Sequence, residues 1–337
     1  MEKGTGRSFG LVIIVAVFLV GDAWLLKSAV ANPANNLPKL NINALSASSF
    51  VIQNQLVEGS TLNQPLNILV LGRSGGHYIA PNLTDTIFIA HVYPAYKEVK
   101  IVSIPRDLAV KTSSGNSSIK INGLYQLGLA ESETKGLSLI KNKVEEVTGL
   151  NIDKFLLFDL ATVEQVIDEI GGVNISVKNS IYDPRFPTNA KGYETFALSS
   201  GIRFLNGLDA LRFIRTRHSL NGDFDRIDHQ QQIVKAIKGK LVSLNPVWDF
   251  SKLWSIFNLV QNNIRTDLTL TELKDLWQIS KSIDLDKIET LSLNAQNGLV
   301  KPEQVSWQSQ TADILVAKPN AFDYTDIKSA VSGFINK

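Results

Sequence analysis

The run Leu66-Asn67-Ile68-Leu69-Val70-Leu71 constrains this chain more than any other stretch. It is short, almost wholly apolar and closed by Gly72, the pattern of a strand buried within a sheet. Thr84-Asp85-Thr86 opens a second strand that continues through Val92, and Glu98 to Ile104 reads as a third. Gly136 to Thr148 has the spacing of an amphipathic helix, Phe155 to Leu160 that of a strand, and Ala161 to Ile170 that of a helix stopped by Gly171-Gly172. Val173 to Val177 is another strand. This alternation predicts an α/β fold, a layered α-β-α domain around a central mixed sheet. Further on, Asp225 reads as the N-cap of a helix to Ser243, Asp249 to Asn263 forms another, and Thr269 with Glu272 offers a capping box for Leu270 to Ile283. Ile288 to Leu293 reads as a strand and Asp323 to Ile335 as a short helix. Ser180 to Ser200, with its prolines, aromatics and mixed charges, is expected to be an irregular loop over a site.

Ahead of all this, Phe9 to Leu26 is an almost unbroken apolar run, close to the ~20 residues that cross a bilayer. Lys3 and Arg7 precede it, so the positive-inside rule puts the N-terminus in the cytoplasm and the rest outside. The expectation is a single-pass cell-membrane protein with an extracytoplasmic main domain. The rival is a cleaved signal peptide, for which Ala29-Val30-Ala31 would serve as the site. The implied division is a cytoplasmic tail (1–8), one transmembrane helix (9–26), a polar linker (27–64), a main domain (65–243) and a helical C-terminal extension (244–337). A formal net charge of +2 gives no sign of a nucleic-acid partner. With no cysteine there is no disulfide framework and no thiolate zinc site, and the four histidines show no metal-site spacing.

Chemistry-bearing residues concentrate between Arg212 and Gln231. If Phe213 to Arg217 is extended, Arg215 and Arg217 share a face and would repel each other unless an anion lies between them. Guanidinium suits that task because its planar fork bonds phosphate oxygens two at a time. Phe213, Ile214, Phe224 and Ile227 interleave with the charges, which argues for partial burial. Asp85 and Arg106-Asp107 both fall at strand ends, where sheet proteins commonly place chemistry. Asp85 is a candidate magnesium ligand.

Taken in order, Asn67 to Gly72, Thr84-Asp85-Thr86, Ser103-Ile104-Pro105-Arg106-Asp107, Lys120-Ile121-Asn122, Asp168 to Val173, Phe213 to His218, Gly222 to Arg226 and Gln230-Gln231 resemble the LytR-CpsA-Psr family of cell-envelope proteins. The resemblance implies an extracytoplasmic phosphotransferase that moves a glycopolymer from a polyprenyl-pyrophosphate carrier to peptidoglycan. It implies Mg²⁺ as cofactor, and a membrane-borne lipid carrier and peptidoglycan as partners. Arg106, Asp107, Arg215 and Arg217 would form the catalytic group. Arg106, Lys120, Arg215, Arg217, Arg226 and Gln230 would grip phosphates, and Asp85 with Ser74 would hold the metal. A prenyl tail further calls for an apolar cavity between the sheet and the helices from Gly136 to Ile170. Three positions depart from the family's pattern: Ser74 stands for an aspartate, and Leu83 and His229 each stand for an arginine.

Overall fold

The computed structural model describes residues 64–75, 80–112, 117–188, 192–216, 223–245, 248–283, 288–307 and 310–337. The expected membrane anchor, its cleavage-site rival and nearly all of the linker therefore lie outside the described residues. Among the described residues, no helix is long and apolar enough to cross a membrane. The chain divides into two compact units, one built from Gln64–Leu157 with Asp286–Lys337, the other from Phe158–Leu285.

The first unit is an α/β domain on a mixed sheet. Its strands are β1 (Leu66–Arg73), β2 (Thr84–Tyr93), β3 (Glu98–Ser103), the short pair β4 (Ala109–Lys111) and β5 (Ser118–Lys120), then β6 (Lys154–Asp159), which crosses into the second unit. β1 pairs antiparallel with β2, and β2 with β3. Ile68 to Leu71 are essentially unexposed at every position, so both faces of β1 are covered. That explains a continuous apolar run in place of alternation. Helices α1 (Gly123–Leu129) and α2 (Glu133–Thr148) follow β5. The Ser132 side chain caps α2 by accepting from Lys135 N. Ile140, Val144 and Val147 of α2 join Leu69, Leu71, Ile87, Ile89 and Val102 in one buried core. This buried cluster lies in part of the region where the sequence suggests a lipid cavity.

The end of the chain returns to this unit. Glu289–Ser292 pairs parallel with β3, and Val300–Trp307 with Gln310–Ala317 forms an antiparallel hairpin that the sequence pattern does not announce. The last helix, Thr325–Ile335, buries Ile327, Val331 and Ile335 in the same core as α2.

The second unit begins with α3 (Leu160–Glu169). β7 (Val173–Val177) pairs antiparallel with β10 (Gly201–Leu205), and β8 (Ile181–Pro187) with β9 (Tyr193–Leu198). Residues 180–200 are therefore largely a hairpin and not an irregular loop. A register shift between Asp183 and Phe186 accommodates Pro184, and Phe186 packs on Phe196 at 5.8 Å. Next come α4 (Gly207–Arg215), α5 (Asp223–Ser243), α6 (Phe250–Asn263), a short strand Ile264–Thr266 and α7 (Leu270–Ser282), whose Thr269/Glu272 capping box makes both expected bonds. Gly207 lets α4 start against α3, since a Cβ there would sit 2.2 Å from Glu164 O.

Candidate functional site

In the first unit, the ends of β2 and β5 and the turn after β3 bring four charged side chains together. Arg106 Nη1 donates to Asp85 Oδ1 at 2.8 Å, Arg106 Nε lies 3.5 Å from Asp107 Oδ2, and Lys120 Nζ donates to Asp107 Oδ1 at 2.7 Å. The four side chains are 27–37% exposed, open enough to be reached from solvent. Burial alone would lower the Arg106 pKa, but the carboxylates of Asp85 and Asp107 outweigh it and hold the guanidinium above its ordinary value. Arg106 is thus a fixed positive charge already flanked by two anions. A phosphate approaching it must share the guanidinium with them.

The backbone explains the convergence. Thr84 N and Thr84 Oγ1 both donate to Asn122 O, at 3.1 and 3.2 Å. Asn122 N donates to Arg106 O at 3.3 Å, and Ile121 N to Leu108 O at 2.8 Å. Leu315 N reaches Asp107 O at 2.9 Å. Asn122 therefore joins the strand end that carries Asp85 to the segment that carries Arg106. Its Nδ2 also lies 3.5 Å from Asp85 Oδ1. The string Lys120-Ile121-Asn122 pointed to this place, but only Lys120 was expected in the site. Arg73 was not expected either. It ends β1 beside Ser74, with Nη1 3.2 Å from Asn82 Oδ1 and 3.4 Å from Tyr125 OH, and its Cζ 5.8 Å from the Tyr125 ring centre.

Ser74 and Asp85, the expected metal pair, are neighbours: Ser74 Oγ lies 3.5 Å from Asp85 Oδ2. Among the described residues, no group of three or more His, Cys, Asp or Glu side chains could hold a metal ion.

The arginine segment of the second unit differs from its sequence reading. α4 continues through Arg215, so Phe213 to Arg215 are helical, and the extended conformation begins at Thr216. Two forces carry the helix this far. Arg212 and Arg215 in the last turn favour the negative end of the helix dipole. Phe213 is wholly buried, and its ring stacks on His229 of α5 at 4.0 Å. His229 Nδ1 donates to Phe213 O at 3.1 Å. The imidazole standing where the resemblance calls for arginine is thus a buried packing group. Arg215 lies over the Phe186 ring at 5.5 Å, and Arg212 bridges Glu194 at 2.7 Å and Asp209 at 3.2 Å. Thr216, fully buried, donates from Oγ1 to Asp183 Oδ2 at 2.9 Å. Arg217 lies outside the described residues. Arg226 and Gln230 are carried by α5, which starts at Asp223, two residues before the expected cap, and their side chains are likewise outside the description.

A mixed-sheet α/β unit with an Asp-Arg-Asp-Lys network at its strand ends, followed by a helix-borne arginine segment, defines a class. The LytR_cpsA_psr family matches residues 36–320, and the chain belongs to it. Among relatives, it is 25% identical over 279 residues to the polyisoprenyl-teichoic acid–peptidoglycan teichoic acid transferase TagU of Bacillus licheniformis, covering 80% of each chain. It is 29% identical over 222 residues to the transferase of the same description, TagV, of Bacillus subtilis, covering 65% of this chain and 54%, about half, of that protein. The crystal structure of B. subtilis TagV has the same fold, with a TM-score of 0.55 at 23% identity over 82% of this chain and 99% of that one.

Proposed function

We propose that this protein is an extracytoplasmic phosphotransferase of cell-wall biogenesis, moving a glycopolymer from a polyprenyl-pyrophosphate carrier to peptidoglycan. The observation that carries the reading is the Asp85–Arg106–Asp107–Lys120 network within a chain of this family. Relatives described as teichoic acid transferases acting between a polyisoprenyl carrier and peptidoglycan support it.

In this reading an acceptor hydroxyl of peptidoglycan attacks the glycopolymer-side phosphorus. A new P–O bond forms, the bond to the bridging oxygen of the pyrophosphate breaks, and polyprenyl monophosphate leaves. The hydroxyl proton passes to a carboxylate of the network or to solvent. Arg106 and Lys120 oppose the charge that builds on the phosphoryl oxygens, and the family resemblance assigns phosphate binding to Arg215, Arg217, Arg226 and Gln230 as well. Fixed cations suit this chemistry because phosphoryl transfer asks mostly for positioning and charge neutralisation.

The oxygens at hand fit Mg²⁺. A carboxylate and a hydroxyl 3.5 Å apart are hard donors, and this ion commonly takes only one or two carboxylates, with water and substrate phosphates filling the rest. Asp85 and Ser74 would hold it, and when bound it would supply further charge neutralisation at the phosphates. The anchor reading of Phe9 to Leu26 puts this chemistry at the outer face of the cell membrane, where a lipid carrier is accessible.

The test is turnover by the full-length protein, with a defined polyprenyl-pyrophosphate oligosaccharide as donor and peptidoglycan fragments as acceptor, with and without Mg²⁺. Release of polyprenyl monophosphate together with glycan-linked product is expected. Tight binding of the donor with no product, while a TagU-type relative turns over in parallel, would leave a carrier-binding scaffold instead. Ser74 in place of a carboxylate is the feature that favours that second reading.

A further inference from the structure

Arg73 closes β1 at a bulge. The register passes from Gly72 opposite Thr86 to Arg73 opposite Thr84, which leaves Asp85 as the extra residue of β2. Arg73 therefore stands one position from Asp85 across the strand pair. Bulges recur beside active sites because they re-aim a side chain. Along the chain Arg73 precedes Ser74, whose Oγ lies 3.5 Å from Asp85 Oδ2.

The guanidinium is held from two segments. Its Nη1 donates to Asn82 Oδ1 at 3.2 Å and to Tyr125 OH at 3.4 Å, and its Cζ lies 5.8 Å from the Tyr125 ring centre. Asn82 comes three residues before Asp85. Tyr125 comes three residues after Asn122, about one helical turn, and Asn122 Nδ2 is 3.5 Å from Asp85 Oδ1. Both holders thus belong to stretches that also carry the Asp85 site. Tyr125 is itself fixed: it is wholly buried, and its hydroxyl donates to Glu133 Oε1 at 3.4 Å. Spending its proton on Glu133 leaves the phenol oxygen as the acceptor for Arg73.

Asp85 and Asp107 balance Arg106 and Lys120, so these four side chains offer no net charge to an incoming anion. Arg73 tips that balance to positive. Glu133, beyond the Tyr125 hydroxyl, is exposed and stands in the first turn of α2, where solvent and the positive end of the helix dipole take up its charge.

We propose that Arg73, aimed by Tyr125, is a further phosphate-binding residue of this site. It supplies the excess positive charge that the balanced network lacks, and its planar fork bonds phosphate oxygens two at a time. Leu83, next to the Thr84 that faces Arg73, stands where the resemblance calls for an arginine. In this chain the guanidinium reaches the same strand end from β1 instead. The role rests on the phosphotransferase reading and adds to it a residue that no matching string contains.

The test titrates the full-length protein with inorganic pyrophosphate by calorimetry at fixed Mg²⁺, with a thermal melt of each variant alongside. Arg73→Gln keeps an N–H donor for Asn82 and Tyr125 but carries no charge, so its melt should stay close to that of the wild type. Its pyrophosphate affinity should fall on the order of tenfold, the effect of losing one charge-assisted hydrogen bond. Arg73→Lys should recover part of that loss. Arg73→Gln combined with Leu83→Arg should recover more, because it returns a guanidinium to the same strand end. A purely structural role predicts neither recovery. Wild-type affinity in Arg73→Gln, while Arg106→Gln is weakened, would overturn the assignment of Arg73 and leave the phosphotransferase reading standing. Loss of affinity that tracks a lowered melt, with no recovery in either the lysine or the double variant, would also overturn it and make Arg73 a cap on Tyr125. Wild-type affinity in both Arg73→Gln and Arg106→Gln, or no pyrophosphate binding by the wild type, would remove the phosphate site itself.

Discussion

The two units set their key polar contacts in different surroundings. In the first, Arg106 and Lys120 face the carboxylates of Asp85 and Asp107, and all four side chains are partly open to solvent. In the second, the polar anchor next to the arginine segment is closed: Thr216 is fully buried, Asp183 is 2% exposed, and they are bonded to each other. Exposed ion pairs contribute roughly 0–1 kcal/mol to folding. A buried hydroxyl left without its partner costs more, about 1–3 kcal/mol. The difference separates roles. The first unit carries charges that can be altered with little loss of stability, whereas the second uses a buried carboxylate to fix the end of the helix that delivers Arg215.

Asp85→Asn should give the largest effect and should appear only in activity. Loss of one preorganised electrostatic group at a phosphoryl-transfer site costs on the order of 10²–10³-fold in rate. The ion pair with Arg106 is partly solvated, so stability should change by less than about 1 kcal/mol. A donor-turnover assay alongside a thermal melt checks both. A variant that loses stability in proportion to its activity would break the contrast between the units.

Asp183→Ala should show the reverse. It removes the acceptor for Thr216 Oγ1 and the Oδ1 acceptor of Arg185 N at 3.1 Å. A loss of about 2 kcal/mol is expected, confined to the second unit. Amide hydrogen exchange reads it unit by unit. Faster exchange in β8 and α4, with the first unit's sheet unchanged, is the expected pattern. Unchanged protection at Thr216 would show that the buried bond does not hold the helix end.

Ser74→Asp should sharpen the same contrast on a smaller scale. A second carboxylate near Asp85 raises the ligand charge, and Mg²⁺ affinity should rise by about tenfold. Titration of the full-length protein with Mg²⁺ by calorimetry measures it. No gain would remove Ser74 from the proposed metal shell and leave Asp85 to act through Arg106 alone.

What the sequence could and could not disclose follows the same physical line. β1, β7 and the Thr269/Glu272 box were legible because each is set by local rules: an apolar run, a stop at glycine, a reciprocal cap. The site was legible in part. Asp85, Arg106, Asp107 and Lys120 were picked from their places at strand ends and in matching strings, and the fold brings them together. Asn122 escaped because its part is played mainly by backbone atoms, which no side-chain pattern announces. The helical state of Phe213 to Arg215 was missed because tertiary packing decides it: the charged run looks extended until Phe213 is stacked on a histidine sixteen positions later. The hairpins at 181–198 and 300–317 were hidden by prolines, which interrupt a strand, and by apolar residues that fall side by side in place of alternating.

The smallest effect concerns pH and belongs to the first unit, away from its charged site. His91 on β2 is buried, and its Nδ1 donates to Asn67 Oδ1 at 2.6 Å. Its Nε2 is enclosed with no hydrogen-bond partner among the described residues, so a second ring proton would find no acceptor. The groups facing it are Lys100, its cross-strand partner, the edge of the Tyr93 ring at 4.3 Å, and more remotely Asp153. Burial, then the Lys100 ammonium, lower the His91 pKa below its ordinary 6.5, and the Asp153 carboxylate only partly opposes them. The sign follows from linkage. Below pH 6.5 the unfolded chain takes up a proton that the folded unit resists, so this contribution to stability is present above pH 6.5 and is lost as pH falls through the lower folded value. Lys100 gives the loss a structural readout, because its ammonium donates to Ile335 O at 3.3 Å and to Phe334 O at 3.4 Å, closing the last turn of the C-terminal helix. Hydrogen exchange at that helix and at β2, compared at about pH 7.5 and about pH 5, should show reduced protection at the acid end. His91→Gln, which keeps a donor for Asn67 but cannot titrate in this range, should flatten the difference. If the variant keeps the full pH dependence, the effect arises from carboxylates elsewhere and not from this histidine.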